Sequence, residues 1–247
     1  MNKDDFLLAV EGLTVSFDGF KAVDDLSFYL EPQEIRVIIG PNGAGKTTVL
    51  DLICGKTRAT AGSIRFRGKE LTKMKEHQIV HAGVGRKFQN PSVFEDLTVF
   101  ENLEVSYPMG HTVMGSLAFK RDAAVIEAVE SVARTIFLHD LLAEPAGLLS
   151  HGQKQWLEIG MLLIQKPALL MLDEPVAGMS VAERKKTAEL LRVITRDHTV
   201  LVIEHDMQFV GDIADRVTVM HQGKVLSEGS IDHVKNDPRV IEVYLGH

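Results

Sequence analysis

The 247-residue chain predicts an α/β fold with an antiparallel β part and a helical insertion. Three observations predict it. A nearly continuous β-branched run, Glu34 to Gly40 (EIRVIIG), stops at Pro41-Asn42-Gly43 and gives way to the helix-forming TTVLDLIC, so strand, glycine turn and helix follow in succession. Two further apolar runs, Ala168 to Leu172 and Thr199 to Ile203, flank a helical pattern over Val181 to Ile194, and this β-α-β alternation implies parallel strands. Ahead of this core, Leu13, Val15, Phe17 and then Leu26, Phe28, Leu30 alternate around the turn Asp18-Gly19, the pattern of antiparallel strands.

The remaining elements follow in order. Ser63 to Arg67 alternates as a strand, and Val84 to Gln89 reads as a short strand ahead of Asn90-Pro91. From Thr98 to Leu163 apolar residues recur mostly at helical spacing, as in Val125, Val129, Val132 and Ile136, so this stretch is read as predominantly helical. Val217 to Met220 and Lys224 to Ser227 form a hairpin turning at Gln222-Gly223, followed by a short helix from Ile231 and a tail ending Val243-Tyr-Leu-Gly-His. There is no internal repeat, low-complexity segment or linker.

Composition narrows the function classes. With 45% hydrophobic residues and a net charge of −7, the chain is not disordered, and its length suffices to bury a substantial core. The acidic balance argues against neutralising a nucleic-acid backbone as the main task. Cys54, the only cysteine, excludes an intrachain disulfide and an all-cysteine metal cage. The longest stretch without Asp, Glu, Lys or Arg, Val105 to Phe119, has 15 residues and contains Pro108, Gly110 and Gly115, too short and too broken to span a bilayer as a helix. The N-terminus MNKDDFLLAV does not read as a secretory signal, so a cytoplasmic location is expected.

Gly40-Pro41-Asn42-Gly43-Ala44-Gly45-Lys46-Thr47 satisfies the G-x-x-x-x-G-K-[ST] phosphate loop, placed after a buried strand and at the opening of a helix. The glycines let the backbone curl so that successive N–H groups face an anion, and the helix N-terminus adds partial positive charge. Lys46 is expected to reach the β- and γ-phosphates and Thr47 to ligate Mg²⁺. Leu169 to Leu172 is an apolar strand ending abruptly in Asp173-Glu174. The carboxyl end of a parallel strand faces the crevice where open α/β sheets bind ligands, which suits Asp173 to Mg²⁺ and Glu174 to an attacking water.

Leu149-Ser150-His151-Gly152-Gln153 resembles the signature motif of ATP-binding-cassette ATPases, Gln89 that family's Q-loop glutamine, His205 in Val202-Ile-Glu-His-Asp206 its switch histidine, and Phe17 the aromatic that stacks on adenine. Singly these are weak: Phe17 also reads as a strand-core aromatic, Gln89 as a polar loop residue, His205 as a core or cap histidine. The resemblance spans nearly the whole chain. It implies a phosphate-loop NTPase of the ATP-binding-cassette type, with ATP on Gly40 to Thr48 (Thr48 included), Mg²⁺ on Thr47, Gln89 and Asp173, and Glu174, His205 and Lys46 as catalytic groups. It also implies head-to-tail pairing with a second cassette, identical or paralogous, in which Ser150, Gly152 and Gln153 close over the partner's ATP. Trp156, Ile159, Leu162 and Leu163 would anchor the signature helix while its N-terminal N–H groups stay free for phosphate.

Two positions depart from the family pattern. His151 replaces the first signature glycine, and a histidine beside a triphosphate could gain a proton. Where the family commonly has Ser-Ala-Leu-Asp, the chain has Ala177-Gly178-Met179-Ser180, which removes an interface aspartate. Ser180 instead suits a cap for the helix from Val181, with Glu183 completing a capping box.

A single set of motifs without heptad arms resembles the ATPase subunit of a membrane importer. Gly85 to Leu103 and the ending Tyr244-Leu-Gly246 resemble the branched-chain amino-acid and urea importer group; Cys54 to Arg58, the signature segment through Glu158, and Glu174-Pro-Val-Ala-Gly-Met179 most resemble its urea-type subunit. The expected function is therefore to energise an importer, for urea first. The alternatives are a branched-chain amino-acid importer, or a nucleotide-gated module of a lipopolysaccharide-export or non-transport assembly. Two transmembrane permeases, a periplasmic solute-binding protein at one remove, no nucleic acid, and a peripheral place on the cytoplasmic face of a bacterial inner membrane complete the expectation. Coupling is assigned to Pro91 to Glu95, where Val93 and Phe94 are either core or an exposed apolar socket. One cassette over 1–247 is expected, with 1–88 and 165–247 as core and β subdomain and 89–164 as the helical subdomain.

Overall fold

A computed structural model describes residues 6–87, 92–108 and 121–245. The backbone packs as two units, one of residues 1–86, 168–175 and 195–247, the other of 87–167 and 176–194. The second unit thus takes 176–194, which the sequence reading assigned to the core.

The first unit opens with β1 (Leu8–Phe17) and β2 (Phe20–Leu30), an antiparallel hairpin joined by β4 (Ala61–Phe66) and β5 (Lys69–Glu70) in the order β2-β1-β4-β5. Its second sheet runs β10-β9-β3-β8-β7-β6, built from β3 (Ile35–Ile39), β6 (Val84–Lys87), β7 (Leu169–Asp173), β8 (Thr199–Ile203), β9 (Arg216–His221) and β10 (Lys224–Gly229). β9, β3, β8 and β7 run parallel to one another, and β10 is antiparallel to β9. β3, β7 and β8 are buried at every residue, which is why each reads as a continuous apolar run rather than an alternation. The exception in sequence, Arg36 amid EIRVIIG, is wholly buried and ion-paired with Glu34 at 3.2 Å and Glu228 at 2.7 Å.

Between the sheets lies α1 (Lys46–Ile53), whose Val49, Leu50, Leu52 and Ile53 join one core with Leu8, Val10 and Leu13 of β1, Phe28 of β2, Ile38 of β3 and Met171 of β7. α2 (Glu76–Ala82) adds Ile79 alone to this core, and α7 (Met207–Ile213), α8 (Ile231–Lys235) and α9 (Pro238–Leu245) complete the unit. The tail expected after Ile231 is therefore largely helical.

The second unit holds α3 (Val99–Val105), α4 (Ala123–Thr135), α5 (His151–Leu163) and α6 (Val181–Ile194), with short 3-10 turns at His139–Leu141 and Ala146–Leu148. Val99, Leu103, Val129, Ile136, Leu157 and Ile159 are fully buried. Gly160 lets these helices approach: a Cβ there would stand 2.5 Å from Ile136 Cδ1 and 3.0 Å from Leu103 Cδ2. α5 is buried continuously from Gln155 to Gly160, around its circumference rather than along the single stripe expected, and Leu162 is only half-buried.

Candidate nucleotide site

The chain leaves β3 at Ile39 and turns through Gly40 to Gly45 into α1. Gly45, the residue before the helix, has a φ of +98°, and a Cβ on it would collide with the Ala22 carbonyl oxygen. Glycine is required on both counts. The hairpin turn Gln222-Gly223 seats the loop, since Gly223 donates its N–H to the Ala44 carbonyl at 3.0 Å and accepts one from Asp24 at 2.9 Å. Lys46 Nζ donates to the carbonyls of Gly40 (2.8 Å) and Pro41 (3.1 Å), so the loop curls around its own lysine. Burial pulls the Lys46 ammonium below its ordinary range, and the carboxylates of Glu174 and then Asp173 pull it back up. Asn42, Gly43 and Thr47 are exposed, Pro41 and Thr48 half-buried.

At the end of β7, Asp173 is buried, with Arg86 Nη2 3.8 Å from its Oδ2. Arg86 also donates to Asp51 Oδ1 of α1 at 2.5 Å and to Cys54 Sγ at 3.2 Å. A guanidinium thus ties the acidic strand to the helix that follows the phosphate loop. Sequence reasoning missed it; the available signal was the pair of cations, Arg86 and Lys87, closing a short strand. Glu174 follows in the left-handed region at φ +48°, a backbone state that costs a side-chain-bearing residue on the order of 1 kcal/mol or more. Its N–H donates to the Ile203 carbonyl at 3.0 Å, which helps hold that turn.

His205 Nδ1 lies 3.6 Å from Glu174 Oε1, and the ring is exposed. It is therefore neither a core nor a cap histidine: Asp206 caps α7, accepting the N–H groups of Gln208 and Phe209. Glu204, buried beneath, accepts the N–H of His205 at 3.0 Å and of Asp206 at 3.4 Å and so fixes the backbone that presents the ring. Phe17 is half-exposed at the hairpin tip, paired across the turn with exposed Phe20, which removes the core reading. The first unit brings together Lys46, Asp173, Glu174 and His205. Gln89 lies outside the described residues.

Among the described residues no group of three or more His, Cys, Asp or Glu side chains could hold a metal ion. The Thr47 hydroxyl and the Asp173 carboxylate are hard oxygen donors, the kind Mg²⁺ takes when phosphate oxygens and water complete its shell. Those residues fit that ion in the presence of nucleotide.

In the second unit Ser150 caps α5. Its Oγ accepts the Gln153 N–H at 3.2 Å, while its own N–H donates to Gln153 Oε1 at 2.8 Å, a reciprocal capping box. The helix end is thus less free than expected, because both the Gln153 side chain and its N–H are engaged. Ser150 Oγ also donates to Glu183 Oε1 at 3.0 Å. A Cβ on Gly152 would stand 2.5 Å from that same oxygen, so the Glu183 side chain would have to shift to admit one. His151 donates from Nε2 to the Ala177 carbonyl at 3.1 Å, so this substitution has a defined partner. Ser180 caps α6 as read from sequence, with its N–H donating to Glu183 Oε2 at 2.9 Å.

In the coupling segment, buried Asn102 pins the backbone of Phe94, accepting its N–H at 2.8 Å and donating to its carbonyl at 3.0 Å. The Phe94 ring is 51% exposed and Val93 half-buried, which decides for exposure at Phe94. Pro91 lies outside the described residues.

Residues 23–177 match the family described as ABC transporter, and 224–247 the family described as branched-chain amino acid ATP-binding cassette transporter. The chain is 37% identical to the high-affinity branched-chain amino acid transport ATP-binding protein BraF of Pseudomonas aeruginosa, over 97% of this chain and 98% of that one. It is 39% identical to the corresponding protein LivG of Salmonella typhimurium, over the same shares of each. A nucleotide-free ATP-binding cassette from an ABC transporter superposes with a TM-score of 0.86 at 30% identity, covering 98% of this chain and 100% of that one. The ADP conformation of an ATP-binding cassette of an ABC transporter gives 0.85 at 32% identity, covering 98% of this chain and 99% of that one. These relatives carry no mark of the urea-type subunit expected from sequence. The phosphate loop, the paired acids and these likenesses over nearly the full length lead to one conclusion: the chain belongs to the ATP-binding-cassette ATPase family and is the ATP-hydrolysing subunit of an ABC importer.

Proposed function

We propose that this ATPase energises a branched-chain amino-acid importer. The names of the relatives and the match over 224–247 support that solute over urea. Nothing in the residues of the nucleotide site selects a solute, so the solute assignment rests on those likenesses.

The observation that carries the mechanism is Glu174 at the end of β7, close enough to Lys46 to act on its charge and 3.6 Å from His205. The curled loop Gly40 to Thr48 binds the phosphates, Lys46 turns its ammonium from the Gly40 and Pro41 carbonyls to the β- and γ-phosphates, and Phe17 stacks on adenine. Glu174 accepts a proton from the attacking water, and His205 orients the γ-phosphate. Thr47, Asp173 and Gln89 would hold Mg²⁺, which when bound neutralises charge on the phosphate oxygens.

Residues 1–247 act as one cassette, paired head to tail with a second, so that Ser150, Gly152 and Gln153 face the partner's ATP. Two permeases receive the stroke, with the exposed Phe94 ring as their socket, and a periplasmic solute-binding protein acts at one remove. No helix among the described residues is long and apolar enough to cross a membrane, and the proposed place is peripheral, on the cytoplasmic face of the inner membrane. The test is deletion of the gene followed by uptake of labelled leucine and labelled urea. Loss of leucine uptake alone supports the reading; loss of urea uptake alone overturns the solute assignment.

A further inference from the structure

The signature segment of the second unit contains an anion of its own. The Glu183 carboxylate divides its oxygens: Oε2 accepts the N–H (2.9 Å) and hydroxyl (2.7 Å) of Ser180, and Oε1 accepts the hydroxyl of Ser150 at 3.0 Å. The same Oε1 lies over the Cα of Gly152, as the 2.5 Å approach of a notional Cβ shows. Glu183 therefore sits against the first residues of α5, the end of a 13-residue helix that carries partial positive charge. Four influences keep it ionised there: the Ser180 hydroxyl and N–H, then the Ser150 hydroxyl and the nearby His151 ring hold its carboxyl below the usual range. His151 adds a second fastening through the Ala177 carbonyl at 3.1 Å.

Ser150 has one hydroxyl proton. Its lone pair already takes the Gln153 N–H, and its proton goes to Glu183. A γ-phosphate arriving at this serine competes for that proton and meets a carboxylate of like charge.

We propose that Glu183 is a positioning residue for the signature serine: it holds the Ser150 hydroxyl in the unpaired chain and must release it before Ser150 donates to the γ-phosphate carried by a second copy. This rests on the head-to-tail pairing proposed above. Glu183 thereby sets how much ATP is needed to close the pair.

The experiment titrates Mg-ATP against the full chain carrying Glu174→Gln, which stalls hydrolysis, and follows pairing by light scattering. Adding Glu183→Gln keeps the shape and removes the charge, and is expected to lower the ATP concentration for half-maximal pairing about three- to tenfold, the scale of a typical net hydrogen bond. Ser180→Ala weakens the α6 cap while leaving Glu183 charged, and is expected to lower the melting temperature without lowering the ATP requirement. An unchanged or raised requirement in Glu183→Gln, or an equal drop in Ser180→Ala, overturns the proposal. Should Glu183→Gln not fold, Glu183→Asp retracts the carboxylate by one methylene; it is expected to shift the requirement in the same direction, and no shift overturns the proposal. If the parent never pairs at any ATP concentration, head-to-tail pairing of two identical copies falls and this inference falls with it; a pairing parent with unshifted variants removes this inference alone.

Discussion

The two units present their proposed phosphate-binding groups in opposite ways. In the first, the loop backbone is shaped before any anion arrives: Gly45 is locked by its own φ and by Ala22, and Glu174 is held in the left-handed region by a bond to β8, so that only the Lys46 ammonium has to turn, from two loop carbonyls. In the second, the chemistry-bearing serine is already committed to a carboxylate of its own unit. The phosphate loop is preorganised and the signature is occupied. Binding at a preorganised site costs little ordering, whereas an occupied one responds only to a ligand that outcompetes its resident.

The largest effect expected from breaking this contrast is at Glu174. Glu174→Gln should lower steady-state Mg-ATP hydrolysis at least about a hundredfold, the scale of a lost general base, with nucleotide binding retained by calorimetry. Next is the buried pair of the second unit, Lys87 and Glu158 at 3.5 Å. Lys87→Met should destabilise by about 3–5 kcal/mol in urea unfolding, because it strips a charge partner from a buried carboxylate. Burial raises the Glu158 carboxyl above its usual range, against the opposing pull of Lys87 and of a backbone bond from Ser92. A carboxyl raised on folding favours the folded state below its unfolded pKa, and that contribution is lost as pH rises through the folded value. Lys87→Met should thus lose more stability at pH 7.5 than at pH 4.5.

Gly45→Ala should cost roughly 1–3 kcal/mol and weaken ATP binding, because the new Cβ meets both the positive φ and the Ala22 carbonyl; unchanged melting and binding would contradict a shaped loop. The smallest effect on stability, about 1 kcal/mol, is expected of Trp156→Phe, which removes the indole N–H donated to Thr187 Oγ1 at 2.9 Å.

Much of the first unit was legible in sequence because its elements announce themselves locally. Thr199 to Ile203 was read to the residue from a buried β-branched run; in the second unit Val181 to Ile194 was too, from its period and the Ser180 cap. α2 was missed because it buries only Ile79, and one apolar residue makes no period. The loop, the acids and His205 could be singled out because each is a short motif at a strand end. Arg86 escaped notice because its ties run to side chains far away in the chain, and Glu204 because its carboxylate turns back onto the N–H groups of the next two residues. The hold of Glu183 on Ser150 spans 33 residues of sequence, and the capping box that made Glu183 readable accounted for it fully. Its second oxygen is visible only in the fold.

The contrast between a shaped loop and an occupied signature is tested most directly by calorimetric Mg-ATP binding to the dilute chain in two variants, with hydrolysis measured alongside. Lys46→Ala should weaken binding tenfold or more on the order of a lost charged hydrogen-bond donor. Ser150→Ala should bind as the parent does yet lose most of its hydrolysis, because its phosphate belongs to the partner. Equal loss of binding in both variants, or full hydrolysis in Ser150→Ala, would contradict the account.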